Sequence, residues 1–129
     1  MCAPLAIDLA AGHDEWRVFA GSAALTAFIG VTMILTTRST TLRMNIRHAF
    51  ILTTGSWLVL TMFSALPFAF SELGLSYTDA FFEAMSGITT TGSTVIIAID
   101  TAPGGILLWR ALLQWLGGIG IIVMAIAVL

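Results

Sequence analysis

Three long apolar runs divide the chain, and short polar clusters separate them. The first is Val18 to Thr37, flanked by Arg17 and Arg38. The second is Ala49 to Ser71, entered from Arg47-His48 and left at Glu72. The third starts near Ile106 and continues to Leu129. Each offers about 20 residues, which at about 1.5 Å per helical residue matches a hydrocarbon core about 30 Å thick. The pattern predicts spanning helices over 18–37, 49–71 and 106–129, with an amino-terminal segment 1–17 and a connection 38–48.

The stretch between the second and third runs, 72–105, follows a different rule. Ser76-Tyr77-Thr78-Asp79 fits a capping box, which predicts a short helix from Tyr77 to about Ser86. Phe81, Phe82 and Met85 fall on its apolar side, and Gly87 is a natural helix terminator. Thr89-Thr90-Thr91-Gly92-Ser93-Thr94 follows, with no charge anywhere from Ala84 to Ile99. Three consecutive β-branched residues before a glycine resist helix formation. Non-helical backbone at membrane depth persists only where protein buries it or where it lines a water-filled cavity. The expected order is an outer helix, a half-membrane helix, an extended Thr/Gly strand over 89–94 and an inner helix. Pro103-Gly104-Gly105 is the turn into that inner helix.

Composition agrees with a bilayer. Of 129 residues, 58% are hydrophobic and only 9% charged, and the mean hydropathy is +1.01. Soluble domains carry about 25% charged residues. Arg38, Arg43 and Arg47 crowd the first connection, and the positive-inside rule assigns that connection to the cytoplasm. The amino terminus and the 72–105 region then lie outside. Arg17 and Arg110 sit at outer helix ends, where long side chains snorkel to the interface. The net charge of −2, with no lysine and no basic face, points away from nucleic acid. The amino terminus lacks the basic region of a signal peptide. Cys2 is the single cysteine, expected in a mobile terminus without a role. His13 and His48 are too far apart for a metal pair. No nucleophile with a base and no paired catalytic acids stand out, so the chain does not read as an enzyme and no catalytic residue is assigned.

The Thr/Gly stretch has the chemistry of a cation path. A dehydrated cation needs about six to eight oxygens, and backbone carbonyls supply them without net charge, so ions bind and still leave. Glycine opens backbone angles that other residues reach only with strain. A half-helix pointing its carboxyl end inward favours a cation at mid-membrane. The expected ligands are the carbonyls of Thr90, Thr91, Gly92 and Ser93. Thr89, Thr94, Gly87, Glu83 and Arg110 are the expected supports, with Arg110 pairing to Glu83 or Asp100 as a brace. Six Thr/Ser/Gly residues alone would equally make an ordinary external loop; the capped half-helix and the flanking spans favour the path. Glu72, Asp79, Glu83 and Asp100 are placed to raise cation concentration at its mouth. Gly117, Gly118 and Gly120 suit close helix packing. Trp109 and Trp115 suit packing or the membrane interface.

The region from about Ala65 to Val128 resembles the first pore repeat of the Trk/Ktr/HKT superfamily of potassium-uptake proteins, of the bacterial TrkH type. The matching pieces are Ala65-Leu66-Pro67-Phe68, Thr78-Asp79-Ala80-Phe81-Phe82-Glu83, Ser86-Gly87 with Thr89-Thr90-Thr91-Gly92, Leu107-Leu108-Trp109-Arg110, and Leu113-Gln114-Trp115-Leu116-Gly117-Gly118-Ile119-Gly120-Ile121. They occur in family order and spacing over about half the chain. The resemblance implies an all-α integral membrane fold, a helix–re-entrant pore loop–helix repeat preceded by one transmembrane helix. It implies four such repeats around one path, each giving a filter strand with a key glycine, here Gly92. It implies K⁺ as the transported ion, held at Thr90, Thr91 and Gly92, with no further cofactor. It also implies a homodimer in the bacterial inner membrane, served by a cytosolic nucleotide-binding regulatory subunit.

The chain departs from the family pattern in carrying one repeat and one preceding span where two are usual. It also stops where a linker and second repeat would follow. The expectation is a fragment of a four-repeat potassium-uptake subunit. A complete small channel assembled from four copies is the alternative, and a non-conducting accessory membrane subunit is a third.

Overall fold

A computed structural model describes residues 1–12, 16–37, 46–97 and 99–128. Helix α1 spans Cys2–Ala11 and α2 spans Trp16–Thr37. Helix α3 spans Ile46–Ser64 and is followed, after Ala65, by the short α4, Leu66–Phe70. Helix α5 is Tyr77–Ile88, a 3-10 turn covers Ile99–Thr101, and α6 runs Gly104–Val128. Among the described residues there is no β-strand. Three stretches, Trp16–Thr37, Phe50–Phe70 and Gly104–Val123, are long and apolar enough to cross a membrane. The protein is an all-helical membrane protein.

The break between α3 and α4 follows from Pro67, which has no N–H to continue the helical ladder. The ladder is otherwise kept: Ala65 N–H donates to the Thr61 carbonyl at 2.9 Å, and Ala69 N–H to the Ala65 carbonyl at 2.9 Å. Trp109 of α6 donates its indole N–H to the Ser64 carbonyl at 3.1 Å. Buried Phe19, Ala65, Phe68, Ala80, Ala84, Ile88, Ile106, Trp109 and Leu113 form one core, where α2, α4, α5 and α6 meet. Phe19 meets Trp109 edge-on, with ring centroids 6.4 Å apart. Away from this core, α2 exposes Phe28, Val31, Met33, Ile34 and Leu35, and α3 exposes Phe50, Ile51 and Leu52. Apolar surface of that extent belongs against lipid or other membrane helices.

Several elements differ from the sequence expectations. The amino-terminal segment contains a helix, α1, and Cys2 is its exposed first residue. Gly12, at φ 71°, closes α1 with its N–H on the Asp8 carbonyl. Ten residues is too short an apolar stretch to read as a span, so hydropathy alone passes over it. Helix α5 continues through Gly87 to Ile88, so Gly87 lies inside the helix. Phe82 faces outward and the buried face of α5 is made of Ala80, Glu83, Ala84, Ser86, Gly87 and Ile88. Arg38 and Arg43, on which the orientation rests, lie outside the described residues, as do His13, Asp14, Glu15 and Leu129.

Candidate functional site: the loop between α5 and α6

The loop starts from a helix fixed at both ends. At its amino end Ser76 is the cap: its hydroxyl accepts from Asp79 N–H at 3.2 Å and donates to the Asp79 carboxylate at 2.7 Å. At its carboxyl end, Thr90 N–H reaches the Gly87 carbonyl at 3.0 Å and Thr91 N–H reaches the Ser86 carbonyl at 3.0 Å. This pair of bonds is the Schellman arrangement, in which one residue must be left-handed, and glycine usually fills that place. Here it is Thr90, at φ 58°. A β-branched residue there stores on the order of 1–3 kcal/mol of backbone strain, tolerated where surrounding contacts over-determine the conformation. Gly92, at φ 79°, makes the second left-handed step two residues later.

The small buried face of α5 lets α6 come close. An added Cβ at Gly117 would overlap the Ile88 carbonyl, so only glycine fits that crossing. One at Gly87 would meet Leu113 Cβ at 3.2 Å. Gly118 and Gly120 have ordinary contact distances, 3.8 Å to Thr90 Cγ2 and 3.6 Å to Trp57 Cζ2. Gly117 is thus the residue on which the close approach rests.

Behind the loop sits a buried ion pair. Glu83 is fully buried, and its Oε1 accepts from Arg110 Nε at 2.5 Å. Its Oε2 accepts from Thr94 Oγ1 and from Val95 N–H, both at 3.0 Å. Thr94 Oγ1 in turn accepts from Ile96 N–H at 3.1 Å. A buried carboxylate is tolerable when its oxygens are met by charge and hydrogen bonds in this way. The guanidinium also reaches the loop backbone, with Nη2 donating to the Gly92 carbonyl at 2.7 Å and to the Ser93 carbonyl at 3.4 Å. Ser86 Oγ donates to the Ser93 carbonyl at 2.6 Å. Of the two acids open to Arg110 in the sequence, the geometry selects Glu83; Asp100 lies on the 3-10 turn.

This network divides the expected ligand carbonyls into two kinds. Those of Gly92 and Ser93 are occupied, held by Arg110 and Ser86, and a cationic donor at 2.7 Å opposes a cation on the same oxygen. No hydrogen bond from a described residue reaches the carbonyls of Thr90 and Thr91, and both residues are exposed, as are Gly92 and Ser93. Thr89 Oγ1 bonds the Met85 carbonyl at 2.8 Å and stands 2.9 Å from Thr91 Oγ1. Of the four expected carbonyls, two thus carry side-chain donors and two carry none from a described residue. Ser86 was not assigned a role in the sequence; its single hydroxyl carries no signal there. Among the described residues, no group of three His, Cys, Asp or Glu side chains forms a metal site.

Residues 15–129 match the TrkH family of cation transport proteins. The chain belongs to that family. It is 41% identical over 130 residues to the Trk system potassium uptake protein TrkH of Halomonas elongata, covering all of this chain and 27% of that protein. It is 38% identical over 129 residues to TrkI of the same organism, again over the whole chain and 26% of the relative. TrkH of Escherichia coli K12 is 51% identical over 84 residues, which is 64% of this chain and 17% of that protein. The chain thus spans about a quarter of the length of the first two TrkH-family relatives.

Proposed function

We propose that this chain forms one quarter of a potassium path across the bacterial cytoplasmic membrane, with Thr90 and Thr91 supplying carbonyl ligands to K⁺. The observation that carries the proposal is the sorting of loop carbonyls. Arg110, braced by buried Glu83, fixes Gly92 and Ser93 from behind and leaves the two preceding carbonyls open. The relatives' designation as potassium uptake proteins supplies the ion. Neutral carbonyls bind a dehydrated cation without trapping it, which suits transport. Thr89, Thr94, Gly87, Glu83 and Arg110 hold the strand's shape.

On this reading three further loops of the same polypeptide complete the ring of ligands. The family resemblance adds a multi-pass homodimer and a cytosolic nucleotide-binding regulatory subunit as partners, with no enzymatic step and no cofactor beyond the ion.

Gly92→Ser in the full-length gene product, expressed in a bacterium deficient in K⁺ uptake, tests the proposal. A Cβ at Gly92 finds only Gln114 Nε2, at 3.7 Å, so crowding is not the issue. The left-handed φ is, and serine there forces the strand to turn. The expected result is a lower preference for K⁺ over Na⁺ at equal membrane abundance. Unchanged preference would refute the path through this loop and favour an accessory subunit.

A further inference from the structure

The path proposal uses nothing from α1, yet α1 carries a buried acid aimed at the helix that holds the loop. Asp8 is 1% exposed. Its Oδ1 accepts from Gly105 N–H at 2.9 Å, across 97 residues of sequence. Gly105 lies in the first turn of α6, a turn with no acidic residue of its own. The first N–H groups of a helix have no partner within it, and the helix amino end carries partial positive charge. Asp8 answers both needs from another helix. The fit is close: a Cβ on Gly105 would overlap the Asp8 carboxylate. The second oxygen, Oδ2, is buried without a hydrogen-bond partner among the described residues. Leaving a buried carboxylate oxygen unmet is costly, so the contact is unlike incidental packing.

The position of α6 matters because Arg110 stands only five residues after Gly105. That is about 7.5 Å along the axis at helical rise. The same short length of helix carries Trp109, whose indole N–H holds the Ser64 carbonyl and whose ring meets Phe19. The line of contacts therefore runs from Asp8 through the start of α6 to Arg110, and on to Glu83 and the Gly92 carbonyl.

We infer that Asp8 is a positioning residue for ion selectivity: by capping α6 from α1 it sets where Arg110 meets Gly92. The inference rests on the proposed path through Thr90 and Thr91. It makes α1 part of the apparatus that shapes the loop, although α1 does not touch the ion.

The test is K⁺ and Na⁺ uptake by the full-length protein carrying Asp8→Ala, Asp8→Asn, Arg110→Ala and the Asp8→Ala/Arg110→Ala pair, each normalised to membrane abundance. Losing a helix cap shifts the balance between docked and displaced α6 by about two- to thirtyfold. Asp8→Ala should lower K⁺ over Na⁺ preference within that range. Asp8→Asn keeps an oxygen for Gly105 N–H and should restore most of it. In the Arg110→Ala background, Asp8→Ala should add little, because both changes act on one contact. A normal preference in Asp8→Ala, or a fully additive effect in the pair, would overturn the inference. Should Asp8→Ala fail to reach the membrane, Asp8→Asn alone decides: wild-type preference supports the cap, and a preference as low as that of Arg110→Ala refutes it. Gly92→Ser separates the two claims. If it alters preference and Asp8→Ala does not, the path stands and the role of α1 falls; if neither does, the path itself fails.

Discussion

Threonine does opposite work in two regions of this molecule. In α2, Thr26, Thr32, Thr36 and Thr37 each return their hydroxyl to a carbonyl of their own helix, at 2.7 to 3.0 Å. Thr26 is half-buried and also approaches Met1 Sδ, at 4.0 Å. The exposed Thr32, Thr36 and Thr37 have no better partner toward lipid and close on their own helix. In the loop after α5, Thr94 reaches buried Glu83 and also receives Ile96 N–H, while Thr90 takes a left-handed backbone conformation. There the same residue type ties the loop to α5, through Glu83. Composition does not separate the two regions. Thr89 still closes on its own helix, at the Met85 carbonyl, and the difference begins at Thr94, whose hydroxyl closes on Glu83 of another element.

The strongest way to break this contrast is to remove the charge behind the loop. Arg110→Ala leaves Glu83 buried and without its cation, which is expected to cost about 3–5 kcal/mol and to lower K⁺ preference without abolishing it. Thermal unfolding of the purified full-length protein, with ion uptake alongside, measures both. Wild-type stability would show that the pair contributes little.

Gly117→Ala attacks the same region through sterics. The added methyl overlaps the Ile88 carbonyl, so α5 and α6 must separate, at a cost of about 1–3 kcal/mol. The matching change at Gly120 meets only an ordinary contact, 3.6 Å from Trp57, and should be much milder. Equal effects at both positions would contradict the geometry.

The contrast itself is sharpened by one substitution made in each region. Thr94→Val strips a donor from Glu83 and an acceptor from Ile96 N–H, and should cost about 1–3 kcal/mol with a measurable loss of K⁺ preference. Thr32→Val in α2 removes only a bond to the Phe28 carbonyl on an exposed face, and should stay within about 0.5 kcal/mol with transport unchanged.

The sequence shows some of this plainly and hides the rest for physical reasons. Long apolar runs announce spanning helices because length and hydropathy are local properties. The Ser76 cap is visible because its partner is three residues away. The end of α5 is not visible, since the left-handed place that usually selects glycine is filled by Thr90, and Gly87 draws attention three residues too early. The division of the loop carbonyls depends on where Arg110 arrives from α6, which no spacing rule within the loop contains. Asp8 is further still from view: its partner is an N–H group 97 residues away, and an acid in an amino-terminal segment reads as a solvated charge. Local chemistry is legible where both partners lie within one turn, and becomes illegible where folding brings them together.

The most direct test of the central claim is to see the ion. Crystals of the full-length protein grown in Rb⁺, a K⁺ substitute with an anomalous X-ray signal, would locate the cation relative to this loop. The account predicts a peak coordinated by the Thr90 and Thr91 carbonyls, with Arg110 still on the Gly92 carbonyl. A peak bound by the Gly92 and Ser93 carbonyls, with the guanidinium displaced, or no peak at the loop, would contradict it.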